Sequence, residues 1–207
     1  MGVSRQERRD QLAALQEAQR RAERRRTRII IGAAIAVAVA LVVPTVVVVM
    51  NAERRSQELE AAAQAPIDGV RAFTDLGATH TTEDVTYEQT PPVGGDHHPT
   101  WQNCGFYAEP VIEEHAVHSL EHGSVWVTYD PDLPAADVDR LRGLADRHPY
   151  LLVSPVDGVE DVVASAWGLQ LALDGADDER LEPFLVAYLQ GPQTPEPGAP
   201  CSGGVGA

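Results

Sequence analysis

Residues 124–156, SVWVTYDPDLPAADVDRLRGLADRHPYLLVSPV, read as strand, helix, strand. Val125, Val127 and Tyr129 alternate with Trp126 and Thr128, the two-residue period of a strand. Pro134 suits a first helical turn, and Val138, Leu141, Leu144 and Ala145 then recur at helical spacing. Asp137, Asp139, Arg140 and Arg142 fall on the outward side. The second strand is YLLVSPV, residues 150–156. Beyond it, residues 162–173 read as one further strand, with Leu169, Leu171 and Leu173 alternating. Asp177 or Asp178 can cap a last helix and Gly191 can end it. Leu181, Phe184, Leu185, Tyr188 and Leu189 supply its apolar face, and Pro183 makes its first turn irregular.

The order strand, helix, strand, strand, helix predicts an α/β sandwich with helices on a mixed sheet. The C-terminal half of thioredoxin-like folds shares this order, but no C-x-x-C pair is present to supply redox chemistry. The compact domain spans residues 66–191, a normal size for one domain. Its first part is less regular: Gly69 to Gly77, a strand-like VTY at 85–87, and a loop from Gln89 to Asn103. Residues 192–207 form a Pro/Gly-rich tail, expected to lack regular structure.

Upstream, residues 29–50, IIIGAAIAVAVALVVPTVVVVM, contain no charge. At about 1.5 Å per residue this run can cross a hydrocarbon core of roughly 30 Å as a helix. It is too long for a signal-peptide core, and no small-residue cleavage pattern follows it. The expectation is a single transmembrane helix, against the alternatives of an uncleaved secretion signal or a buried core helix. Pro44 removes one backbone donor inside it, which membrane helices tolerate. Residues 51–65 are polar and rich in helix formers, a stalk or linker ending near Pro66.

Residues 1–28 form a basic helical segment carrying nine arginines against Glu7, Asp10, Glu17 and Glu23, a net +5. The rest of the chain therefore carries −20 of the total −15. Basic flanks stay on the cytoplasmic side of an energised membrane. The chain is thus expected in the cell membrane, N-terminus cytoplasmic and C-terminal domain extracytoplasmic. The lipid bilayer is a partner, a membrane-protein partner is a further candidate, and an acidic outer domain argues against nucleic acid.

All seven histidines lie beyond the hydrophobic run: His80, His97, His98, His115, His118, His122 and His148. If residues 109–122, EPVIEEHAVHSLEH, form a helix, each residue advances about 100°, and His115, His118 and His122 fall within an arc of about 60°. His118 and His122, at i and i+4, can point at one ion, and imidazole binds Zn(II) and Cu(II) well. Further ligands must come from elsewhere. His97 or His98 is available in PPVGGDHHP, where Gly94 and Gly95 permit close backbone approach, and His80 lies upstream. Glu121 or Glu114 can ligate or orient a ligating ring. The competing reading is a metal-free polar network. The outer domain has no methionine, so a methionine-rich Cu(I) carrier is disfavoured and Zn(II) or Cu(II) fits better.

HSLEH, residues 118–122, also matches H-x-x-E-H, in which a glutamate activates water on a zinc ion held by two histidines. Glu121 is then the one weak catalytic candidate. Gly123 and a strand follow at once, so a helix would end at the motif, and the domain is small for such an enzyme. Cys104 and Cys201 are the only cysteines. In an oxidising compartment they favour a disulfide, and the alternative makes Cys104 a thiolate ligand near the histidines.

The run from Thr90 to Pro131 resembles an uncharacterised, largely actinobacterial family of membrane-anchored proteins known only as a domain of unknown function. The resemblance rests on Pro91-Pro92, Gly94-Gly95, His97, Gly105-Phe106-Tyr107, the His118 to Gly123 segment, and Tyr129 to Pro131. Ala166-Trp167-Gly168 and GPQTPEPGAPC (191–201) look similar too, so it covers roughly residues 66–201. The family places a histidine where His80 stands. The resemblance therefore implies His80, His97, His118 and His122 as the shared set, and leaves His98, His115 and His148 outside it. Gly94 departs mildly from a frequent serine.

Together these observations give three functional readings. The first is a membrane-anchored outer domain that binds a divalent metal through His118, His122, His97 and His80. Glu121, His115 and His98 are secondary candidates. The second is a non-catalytic accessory or structural subunit of a membrane or cell-envelope complex. The third is a metal-dependent hydrolase using Glu121.

Overall fold

The computed structural model describes residues 5–206; the side chains of residues 5–16, 18, 22 and 27–39 lie outside that description. Residues 1–56 form one unit and 57–207 another. One α-helix, α1 (Arg5–Gln64), contains Pro44 and includes the basic segment, the apolar run and most of the stalk. Among the described residues, no helix is long and apolar enough to cross a membrane. The side chains of residues 29–39, half of the expected anchor, lie outside the description.

The second unit is a mixed α/β domain with six strands: β1 (Arg71–Ala72), β2 (Gly105–Phe106), β3 (Val125–Tyr129), β4 (Leu151–Pro155), β5 (Val162–Ala166) and β6 (Leu169–Leu173). Three helices accompany them: α2 (Glu113–Glu121), α3 (Ala135–Ala145) and α4 (Leu181–Tyr188). The sheet order is β1-β6-β5-β3-β4-β2. β3 and β4 are parallel, joined through α3, and β2 adds parallel to β4. β5 and β6 run antiparallel on the other side of β3, and β1 closes that edge.

The single strand expected over 162–173 is two strands. Ala166 pairs with Leu169 across Trp167-Gly168, and Gly168 takes φ +72°, a left-handed turn that suits a residue without Cβ. Both arms keep their alternation, so periodicity alone could not reveal the reversal. The strand-like VTY at 85–87 has no strand pairing. Pro183 sits near the start of α4, which begins at Leu181, later than an Asp178 cap implied. Asp178 instead takes hydrogen bonds from the Arg180 backbone and guanidinium, and that contact drives its pKa down.

The alternation in β3 divides two cores. Val125, Val127 and Tyr129 join Leu141 and Leu144 of α3 and Leu181, Phe184 and Leu185 of α4. Trp126 faces the other way, with Leu152, Val163, and Ala116 and Leu120 of α2. Its indole N–H donates to Ser154 Oγ at 2.9 Å, so the buried nitrogen is satisfied. Of α2, α3 and α4, only α2 contributes to this second core, resting Ala116 and Leu120 on the apolar side chains of the sheet.

Leu141 is fully buried in the first core. Leu141→Ala should lower the unfolding free energy by about 2–5 kcal/mol, read from urea denaturation. A loss below about 1 kcal/mol would show that α3 does not anchor this layer.

Candidate metal centre

α2 begins after Ile112 and ends at Glu121, with His122 as its C-cap. Gly123 then takes φ +90°, and a Cβ there would lie 2.4 Å from Gln190 Nε2 and 2.8 Å from Thr194 Oγ1. Glycine therefore allows the chain to leave α2 and enter β3 while the C-terminal tail passes close by. The helix presents Glu121 and His118 from its last turn, and His122 from its cap.

A loop runs alongside α2 and is stitched to it by backbone hydrogen bonds. His98 N–H donates to Glu114 O at 3.3 Å, and Gln102 N–H to His115 O at 3.0 Å. Ser119 Oγ–H donates to Gln102 O at 2.6 Å. This register carries His97 to Glu121. His80 arrives by a parallel bridge to His97, in which Thr81 N–H donates to His97 O and His97 N–H to Thr79 O. Asp96 accepts the Thr79 N–H at 2.9 Å, and its carbonyl accepts the Tyr87 hydroxyl at 2.8 Å. Burial, with Glu114, Glu113 and Asp96 nearby, pushes the Tyr87 hydroxyl pKa up and keeps it a donor.

The ligating atoms of His80, His97, His118 and Glu121 lie within 4.8 Å of one another. Glu121 Oε2 is 3.0 Å from His97 Nε2 and 3.6 Å from His80 Nε2. The His118 ring stacks on His80 with centroids 4.8 Å apart and meets His97 edge-on at 4.9 Å. His122 stands just outside this group, its Nε2 2.9 Å from His118 Nε2. His97, His118, Glu121 and His122 are buried; the His80 side chain is about half exposed.

Three of the rings are oriented in the same way. His97 Nδ1 faces Gly95 O at 2.8 Å, His118 Nδ1 faces His98 O at 2.6 Å, and His122 Nδ1 faces Pro200 O at 2.7 Å. A carbonyl accepts only, so each Nδ1 is the donor, and each Nε2 is turned inward toward the cluster. This is the outer-sphere arrangement that fixes the tautomer of a metal-binding histidine. Gly94 and Gly95, at φ +149° and +122°, form the tight approach the Gly95 carbonyl needs; a Cβ at Gly94 would lie 2.8 Å from Leu76.

His98 and His115 stand apart from this convergence. His98 Nδ1 accepts the Thr100 N–H at 3.0 Å, which leaves its proton on Nε2. His115 Nδ1 is hydrogen-bonded to Thr100 O, and its ring packs on His98 with centroids 4.2 Å apart. The common helical arc of His115, His118 and His122 therefore does not bring the three rings to one point. Glu114 accepts the Val85 N–H at 3.0 Å and serves the loop. His148 follows α3, away from the cluster, and burial lowers its pKa.

Cys104 and Cys201 form a disulfide with Cα atoms 5.3 Å apart. Cys104 is therefore not a thiolate ligand here. The bridge brings the tail to the site: Pro200, which holds His122, immediately precedes Cys201. The tail forms no helix or strand of its own, yet Glu196 N–H donates to Glu121 O at 3.1 Å and Tyr150 Oη–H to Ala199 O at 2.8 Å. Two residues at the site escaped the sequence reading. Trp101 places its ring 4.9 Å from His122 and 5.8 Å from His118, and Glu196 Oε2 lies 3.7 Å from His122 Nε2. The sequence signal for Glu196 was its place in the GPQTPEPGAPC run that the family resemblance includes, and for Trp101 its nearness to Cys104.

Residues 79–203 match the family described as protein of unknown function (DUF3105). The chain belongs to the DUF3105 family. The matched region begins just before His80 and ends just after Cys201, so it contains every residue of the cluster and both cysteines. No curated protein matches the chain, and no solved structure does. The function of this DUF3105 domain must therefore be read from its own geometry.

Burial lowers the His118 pKa from 6.5 to about 4; the His98 carbonyl opposes the shift, while His122, His97 and His80 add to it. In metal-free protein the unfolded chain protonates His118 below about pH 6.5, whereas the folded chain resists until about pH 4. Stability contributed by neutral His118 is thus fully present above that window and lost as pH falls through it. Urea unfolding at about pH 7.5 and about pH 5 should show this loss, and His118→Asn should reduce it. An unchanged pH slope in the variant would contradict a burial-driven shift.

Proposed function

We propose that this chain is a single-pass membrane protein, N-terminus cytoplasmic, whose outer domain binds a divalent metal, Zn(II) or Cu(II). Its donors are His80, His97, His118 and Glu121, with His122 alongside. The observation that carries this reading is the environment of His97. Its ring is fully buried, and both nitrogens face acceptors: the Gly95 carbonyl at 2.8 Å and the Glu121 carboxylate at 3.0 Å. A neutral imidazole has one N–H for two acceptors. One proton or one metal cation shared between Nε2 and Oε2 resolves the conflict, and the convergence of His80 and His118 on the same point favours the metal.

The donor chemistry narrows the ion. Imidazole nitrogen with carboxylate oxygen, and no sulfur, suits Zn(II) or Cu(II) over Cu(I). Glu121 is a donor in this arrangement, so HSLEH acts as a binding motif.

The membrane reading is supported by the apolar part of α1. From Leu41 to Met50 the described large apolar side chains are exposed, Leu41 and Val48 at 67 % each. A row of such residues on one helix needs an apolar surround. Thr45 returns its hydroxyl to the Leu41 carbonyl at 2.9 Å, satisfying itself within the helix as lipid requires. In the outer domain the exposed large apolar residues among those described are Ile112, Val186 and Val205, each from a different segment.

Full chain purified without a His-tag, stripped with chelator and titrated with Zn(II) or Cu(II), should bind at least one equivalent. His97→Ala and Glu121→Gln should each weaken that binding by about 100-fold or more, and His148→Ala should not. A folded wild type that takes up neither metal would end the metal reading. In cells the chain should sediment with membranes and resist carbonate extraction, and deletion of residues 29–50 should release it. Extraction of the intact chain by carbonate would remove the anchor.

A further inference from the structure

We propose that the metal held by this cluster is cargo, handed to an acceptor protein whose imidazole displaces His80 from the ion. This rests on the metal-binding reading above and names what that site does with its ion.

The four donors differ in access. The side chains of His97 and Glu121 are 0 % and 7 % exposed, and His118 is 3 % exposed, whereas the His80 side chain is 47 % exposed. Of the four, His80 alone meets solvent, so a donor from outside reaches the ion from its side. An ion with a purely structural role is enclosed by its ligands, whereas one that reacts or moves keeps an accessible position.

The donors also differ in how firmly each is held. His97 and His118 are each pinned through Nδ1 by a backbone carbonyl. Glu121 ends α2, and its own carbonyl accepts the Glu196 N–H. Among the described residues nothing hydrogen-bonds to the His80 ring, and Glu121 Oε2 stands 3.6 Å from its Nε2. Its neighbours are two other rings: His118, stacked with centroids 4.8 Å apart, and His97, edge-on at 4.9 Å.

The backbone at His80 is nonetheless fixed. Thr81 N–H donates to His97 O at 2.8 Å, His97 N–H to Thr79 O at 3.0 Å, and Thr79 N–H to Asp96 Oδ1 at 2.9 Å. The ring can therefore rotate off the ion about its own side-chain bonds without breaking a hydrogen bond, while its backbone stays in place to return it. The same motion at His97 or His118 would leave a buried carbonyl unpaired. With His80 turned away, His97, His118 and Glu121 still hold the ion. The bond from the His80 nitrogen breaks as the bond from the incoming nitrogen forms, with no change in charge or oxidation state. Imidazole is the donor that matches, because it replaces like with like on Zn(II) or Cu(II). Further donors of the acceptor then take the ion stepwise.

The test uses the full chain in detergent, loaded with Zn(II) or Cu(II). His80→Gly should fold and weaken metal binding by about 10-fold, less than His97→Ala does. Added imidazole should restore most of that loss in His80→Gly and none in His97→Gly, whose ring position is closed to solvent. In Cu(II)-loaded His80→Gly, isotope-labelled imidazole should change the nitrogen hyperfine pattern in electron paramagnetic resonance. Transfer of Zn(II) from the wild type to the chelator pyridylazoresorcinol, followed by absorbance, should speed up in proportion to chelator concentration. Unchanged affinity in His80→Gly, absent rescue, equal rescue of both variants, or a transfer rate independent of chelator would each overturn exchange at His80 and leave the metal site standing. A wild type that binds neither ion would instead defeat the metal-binding reading itself.

Discussion

The centre depends on one constraint: buried imidazoles whose Nδ1 protons are claimed by backbone carbonyls. Gly95, His98 and Pro200 each supply one such carbonyl. An imidazole held this way cannot rotate without losing a buried hydrogen bond, a cost of about 1–3 kcal/mol for each group left unpaired. The Nε2 atoms are therefore fixed in direction, turned toward the cluster. Beside the cluster, His98 and His115 each spend Nδ1 on the Thr100 backbone, one accepting and one donating, and so stay out of the convergence.

Those carbonyls come from chain segments far apart in sequence, and the domain is built to hold them together. The floor is the sheet face carrying Trp126, Leu152 and Val163, against which α2 buries Ala116 and Leu120. Beside α2 the loop from His97 to Gln102 is registered by the His98 and Gln102 N–H groups donating to the Glu114 and His115 carbonyls, and by the Ser119 hydroxyl donating to the Gln102 carbonyl. The tail joins the end of this loop through the disulfide and the Gln102–Val205 bridge, and joins α2 through the Glu196 N–H to the Glu121 carbonyl. Neither segment has a helix or an extended sheet pairing of its own, so their order depends on α2 and on each other. Loss of that order would move ligands and ring-holding carbonyls at once.

Much of the fold was legible in local pattern. The alternation in Val125–Tyr129, the helical spacing of Val138, Leu141 and Leu144, and the run at 151–155 reflect periodicities that one face of burial imposes on a strand or helix. The pairing of His118 with His122 was legible for the same reason, since i and i+4 share a helix face. His115 shares the arc too, yet it points at Thr100, because the loop packed against that turn offers a carbonyl there. The turn at Trp167-Gly168 was hidden because Val162–Ala166 and Leu169–Leu173 are both strands, and alternation does not record direction.

The sequence alone determined the mixed α/β class, the helix that carries His118, Glu121 and His122, and a supply of imidazoles without sulfur donors. These follow from short-range spacing, which the chain specifies wherever it folds. Only the tertiary structure decided which histidines meet. It brought His80 beside His97 through a single bridge, paired His97 with Glu121, turned His98 and His115 away, and carried Glu196 and Pro200 to His122 on a disulfide-tethered tail. The reason is physical: ligand geometry is set by contacts between segments many residues apart, and those contacts leave no period in the sequence.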